Sequence, residues 1–93
     1  MSSDNMRLII AIVRDTDGEE ILQALLKAEC RVTRIASSGG FLRRGNATLL
    51  IGVEPERVKE VVHLVREYSA PPIDPGSKRV TIFVLKVVRF EQI

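Results

Sequence analysis

The chain has 93 residues, 45% of them hydrophobic and 28% charged, and its 14 basic against 12 acidic residues leave a net charge of +2. That length makes one domain, and that composition excludes a disordered chain. So small a charge excludes a general binder of nucleic acid or membrane, so any preference for anions must be local.

Residues 1–5 read as a loose tail and Met6 as an alternative start, which leaves 6–93 as the folded domain. Residues 7–15, RLIIAIVRD, are isoleucine-rich and bounded by charge, which predicts a buried strand. The apolar core of that run is too short to span a membrane and has no small-residue cleavage site after it. In TDGEEILQALLKAE, residues 16–29, Thr16 and Glu19 have capping-box spacing and Ile21, Leu22, Leu25 and Leu26 share a helical face, which predicts the first helix. RVTRIAS, residues 31–37, is β-branched and mixed polar, a second strand with a wet side. Three glycines break the pattern in SSGGFLRRGN before ATLLIGV, residues 47–53, resumes as a third strand, so the two strands form a hairpin. Pro55 sits where helices begin, and Val58, Val61, Val62 and Val65 line a second helix running to about Tyr68. SAPPIDPGSK, residues 69–78, cannot continue it, and RVTIFVLKVV, residues 79–88, is the last strand.

The order βαββαβ predicts an α+β, ferredoxin-like sandwich: a four-stranded antiparallel sheet with both helices on one face. Such a sheet should alternate apolar and polar residues. Residues 8–13, 49–51 and 82–85 instead run apolar at successive positions, so both faces want cover. The helices supply one cover and a second copy of the chain is the simplest other, which predicts a homo-oligomer.

Catalytic chemistry is poorly supported. His63 is the single histidine and falls on the second helix beside Lys59, Arg66 and Glu67, a solvated face. The lone Cys30 cannot pair within the chain and reads as a small buried residue, which points to a reducing cytoplasm. Asp15, Asp17, Glu19 and Glu20 sit at a helix start, where capping and the helix dipole account for them. Metal-ligand spacing is missing, and no metal or catalytic residue is expected. An RNA reader on this fold would stack bases on aromatics of the central strands, here the first and third, and neither carries one.

The hairpin loop is what remains. Gly39, Gly40 and Gly45 permit exposed backbone N–H groups suited to an anion, and Arg31, Arg34, Arg43 and Arg44 offer forked donors to phosphate. Phe41 offers a stacking face and Asn46 an amide that bonds a base edge both ways. From residue types alone, a glycine-rich turn with solvated arginines and a core-packed phenylalanine accounts for the same loop.

The run from Met6 through MRLIIAIVRDTDGEEILQALLKAECRVTRIASSGGFLRRGNATLLIGV resembles the PII-like cyclic di-AMP receptors, bacterial signal proteins related in fold to the nitrogen-regulatory PII trimers. The similarity runs nearly ungapped to about Tyr68 and resumes over VTIFVLKVVRFEQI; its most specific part is R-x-T-x-x-A-[ST]-[ST]-G-G-F-L-R-x-G-N. The resemblance implies a homotrimer holding cyclic di-AMP in clefts between subunits. It implies Arg31 near a phosphate, with Gly40, Phe41 and Leu42 lining the ligand from the loop; Gly39 and Arg43, singled out above by residue type, join the expected ligand-binding set. Thr33 and Asn46 would bond around a base, Gly52 would allow close approach, and Phe83 and Gln92 match two further ligand-lining positions. One departure stands out: the connection from the second helix to the last strand is a long excursion in the well-known receptors, and here it is only residues 69–78, stiffened by Pro71, Pro72 and Pro75.

The expectation is therefore a cytoplasmic, trimeric, non-enzymatic sensor that binds cyclic di-AMP and relays this to a downstream protein, with no nucleic-acid or membrane partner and no cofactor. The alternative is a PII-like module that docks on a partner protein with an adenine mononucleotide or no nucleotide.

Overall fold

The computed structural model describes residues 6–35, 45–69 and 80–88. Four strands and two helices follow in the order β1 (Arg7–Arg14), α1 (Asp15–Lys27), β2 (Arg31–Ile35), β3 (Asn46–Val53), α2 (Val58–Glu67) and β4 (Val80–Lys86). The strands form one sheet in the order β2-β3-β1-β4, and every pairing is antiparallel. This is the ferredoxin-like arrangement that the order of elements predicts, with β3 and β1 at the centre.

Alternation along the strands decides which face the helices cover. Ile9, Ala11 and Val13 of β1 and Ala47, Leu49, Ile51 and Val53 of β3 are buried with Ile21 and Leu25 of α1 and Val61 and Val65 of α2. All the strand residues in that core have odd numbers, so both helices pack on one face. Val32 of β2 and Val80 and Ile82 of β4 extend the same layer towards the edges, partly buried.

Both helix starts differ from the sequence expectation. Strand β1 ends at Arg14 and α1 begins at the next residue, so Thr16 lies inside the helix and no side chain caps its start. Ile9, Ala11 and Val13 all reach the core, which carries the strand up to the helix and leaves no room for a separate cap. Pro55 opens a 3₁₀ turn, Pro55–Arg57, and the α-helix starts only at Val58.

The end of α1 is specific. Glu29 has φ of 61°, its N–H donates to Leu26 O at 3.0 Å, and Cys30 N donates to Leu25 O at 3.0 Å. That is the left-handed Schellman termination, with Cys30 and Leu25 both in the core as its apolar pair. Arg57 then joins the helices: its Nη2 donates to Ala28 O at 2.8 Å, and its Nε and Nη2 donate to the two Glu60 carboxylate oxygens at 3.1 Å each. The Arg57 hydrogen bond holds the Glu60 carboxyl below its ordinary value. Burial pushes the Cys30 thiol up, with Arg57 only partly opposing it, so the thiol stays protonated and inert as a core residue should.

At the far end of α2, Ser69 is buried and its hydroxyl donates to Val65 O at 2.7 Å, which closes the last turn. The proline-rich connection that follows lies outside the described residues, as does the tail 1–5.

Candidate functional site

The face of the sheet turned away from the helices carries the even-numbered strand residues of β1 and β3. Antiparallel partners point to the same side of a sheet, so the registers give rows that cross all four strands. One row is Arg31, Gly52, Leu8 and Leu85; the next is Thr33, Leu50, Ile10 and Phe83; a third is Ile35, Thr48, Ile12 and Thr81. Asn46 pairs with Arg14 one row further on. Five residues singled out from the sequence, Arg31, Thr33, Asn46, Gly52 and Phe83, therefore share one face although they come from three strands.

That face is apolar at its centre, and no element among the described residues covers it. Leu8, Ile10, Ile12 and Leu50 are half-buried, while Phe83 is 50% exposed and Leu85 47% exposed on the edge strand. Thr33 and Phe83 sit on opposite edges, three ladders apart, or roughly 14 Å at about 4.8 Å per ladder. That distance exceeds the width of a purine ring, so one base within one chain cannot touch both.

Gly39, Gly40, Phe41, Leu42 and Arg43, with Arg44, belong to 36–44 and lie outside the described residues, as does Gln92. Asp15 ties together the described residues Arg34 and Gly45 on either side of 36–44. Asp15 N donates to Gly45 O at 2.7 Å, and Arg34 Nη2 donates to Asp15 Oδ1 at 2.7 Å. Gly45 itself has φ of +89°, a conformation that a side chain would strain. Arg34 thus departs from the expectation that it offers its guanidinium to a phosphate. Its even number in β2 puts it opposite Leu49, on the helix side, where the Asp15 carboxylate at the start of α1 takes it.

A prediction follows from this pair. Both partners are partly exposed, so Asp15→Ala should cost only about 0.2–1 kcal/mol in urea unfolding. Arg34→Ala should cost as much, and the double variant little more than either alone. Additive losses would show that the two side chains do not act as a pair.

Other titratable groups are structural. His63 is exposed on α2 with Nε2 at 3.1 Å from Glu67 Oε2, a partner on the solvated face rather than in a cleft. Arg14 Nε lies 3.3 Å from Asp17 Oδ2. Among the described residues no group of three or more His, Cys, Asp or Glu is placed to hold a metal ion.

A family model described as "Cyclic-di-AMP receptor" matches residues 6–71. The chain belongs to the cyclic-di-AMP receptor family. Among solved structures, this receptor-family chain is similar to a functionally unknown protein from Pediococcus pentosaceus ATCC 25745, at 33% identity and a TM-score of 0.76. The match covers 97% of this chain and 99% of that one. It is also similar to the PII protein of Arabidopsis thaliana, crystallised bound to citrate, at 29% identity and a TM-score of 0.70, covering 92% of this chain and 85% of that one. The receptor-family match spans β1 to α2, so it includes four of the five residues on the open face. The ferredoxin-like, PII-like fold expected from the sequence resemblance is the fold observed.

Two features of this family member were not read from the sequence. Met6 lies against Gly52, with its Cε 3.2 Å from where a Cβ on that glycine would stand. Thr48, on the same open face, is buried. Its alternation with Asn46 and Leu50 in NATLLIGV was the available signal, but a threonine in a strand is unremarkable in sequence and only the packing sets it apart. No helix among the described residues is long and apolar enough to cross a membrane.

Proposed function

We propose that three copies of this chain assemble into a cytoplasmic sensor that binds cyclic di-AMP between neighbouring subunits and relays its presence to a downstream protein. The observation that carries the reading is the convergence of Arg31, Thr33, Asn46, Gly52 and Phe83 on the sheet face turned away from both helices. Membership of the cyclic-di-AMP receptor family supports the ligand class. The separation of Phe83 from Thr33 across the sheet supports a site completed by a second copy, because one edge would then meet the opposite edge of its neighbour. The apolar centre of the face supports the same assembly.

The residue types suit the roles. Arg31 is exposed and presents a guanidinium that pairs with a phosphodiester through two parallel donors. Thr33 and Asn46 are neutral groups able to bond the polar edge of a purine. Gly52 adds no side chain to the strand, so a ligand that displaces the flexible end of Met6 can approach closely, and Phe83 and Phe41 give flat faces for a base. Gly39, Gly40, Leu42 and Arg43 line the ligand from the loop and Gln92 from the C-terminal segment. The protein acts by binding; no bond is made or broken. The ligand works by differential affinity for two arrangements of that lining.

Calorimetric titration of the purified oligomer tests this, with ATP and cyclic di-GMP as controls. The expected result is saturable binding of cyclic di-AMP near one per subunit, with Phe41→Ala weakening it by about 1–3 kcal/mol. Silence with all three nucleotides would overturn the sensor reading and favour a module that docks on a partner protein without them.

A further inference from the structure

Among the described residues, the open face carries a buried hydroxyl with no hydrogen-bond partner. Thr48 is 6% exposed, and its Oγ1 is buried with no hydrogen-bond partner. A hydroxyl in that state is destabilising, and valine, of nearly the same shape, would avoid the penalty. Its surroundings explain the lack of a partner. Ile12 and Ile35 stand opposite it on the two neighbouring strands, and Leu50 follows it on its own face. The polar groups nearest along the face are Asn46, two residues away on the same strand, Thr33, diagonal to it on β2, and Arg14, diagonal to it on β1 and engaged with Asp17.

We infer that the Thr48 hydroxyl is a ligand-binding group, which bonds the polar edge of the purine held by Thr33 and Asn46. The inference rests on the nucleotide reading given above. All three groups are neutral, and a hydroxyl both donates and accepts, so the trio suits a base edge rather than a phosphate. Arg31, two residues before Thr33 and further along the face, takes the charge. None of the four residues flanking Thr48 on the face is itself buried, and Ile35 is 39% exposed. The hydroxyl lies beneath side chains that solvent reaches, and a ligand that shifts one of them meets it.

The test compares Thr48→Val and Thr48→Ser with the unmodified chain, by calorimetry with cyclic di-AMP, by thermal melting without ligand, and by sedimentation. Thr48→Val should weaken cyclic di-AMP binding about tenfold, the loss of a single hydrogen bond. It should also raise the midpoint of the ligand-free protein by about 4–8 °C, because the unbonded hydroxyl is gone. Thr48→Ser keeps the hydroxyl and should bind within about threefold of the unmodified chain. A purely structural role would move stability and affinity in the same direction, so opposite shifts are the signature.

Equal binding by the Thr48→Val variant and the unmodified chain overturns this inference alone. A lower midpoint or a broken oligomer for Thr48→Val overturns it too, because the hydroxyl would then be bonded in the ligand-free assembly. No binding by the unmodified chain overturns this inference together with the nucleotide reading.

Discussion

Ile51→Ala is expected to lower the stability of the protein by about 2–5 kcal/mol, with the urea midpoint falling and the slope unchanged. Ile51 is fully buried in central strand β3, opposite Ile9 of β1 and Val32 of β2, with the helices above it. Its neighbours are held by ladders on both sides and cannot collapse into the space that alanine leaves. The loss should therefore fall in the upper half of that range. Leu50, the residue before it, faces the other way and is only half-buried, so Leu50→Ala should cost clearly less in the unassembled chain. Equal losses for the two would mean that the sheet has no inner and outer face. A loss under about 1 kcal/mol for Ile51→Ala would mean that the layer beneath the helices is not close-packed.

The strength of that contrast shows why the fold was legible. Valines at 58, 61, 62 and 65 have helical spacing, glycines and prolines punctuate the joins, and the order of elements leaves few ways to close a four-stranded sheet. Strand and helix boundaries were less legible because they are set by packing. The capping-box spacing of Thr16 and Glu19 satisfies a local rule, yet the ladder of β1 carries the chain straight into α1. The same runs of Ile and Leu that obscure alternation also told the truth about the outer face. Leu8, Ile10 and Ile12 are the even half of β1 and remain only half-buried in one chain.

The candidate site was legible in residue types more than in placement. Arg31 and Arg34 look alike in sequence as donors beside a glycine-rich loop. Three residues apart on a strand, they necessarily face opposite sides, and the structure gives Arg34 to Asp15 and leaves Arg31 exposed on the open face. That separation follows from the period of two, but only once both residues are known to lie in the same strand. Thr48 could not be found by composition, because what distinguishes it is a missing partner.

The missing side chain of Gly52 makes the sharpest test of the face itself. Gly52 lies between Arg31 and Leu8, one row from Thr33 and Phe83, and among the described residues a Cβ there has one neighbour within 4 Å, the Met6 Cε at 3.2 Å. The end of a methionine side chain yields easily, and a β-branched residue suits a strand. Gly52→Val should therefore fold and assemble with a thermal midpoint close to that of the unmodified protein. Its two methyl groups would stand over the strand where the ligand must approach, so cyclic di-AMP affinity should fall at least about a hundredfold, or ~2.7 kcal/mol. Gly52→Ala, with a single methyl, should lie between the two. Full affinity in the valine variant, measured by calorimetry on protein that still melts normally, would move the ligand off this part of the sheet. It would also remove the reason for a glycine between an arginine and a leucine in the middle of a β-ladder.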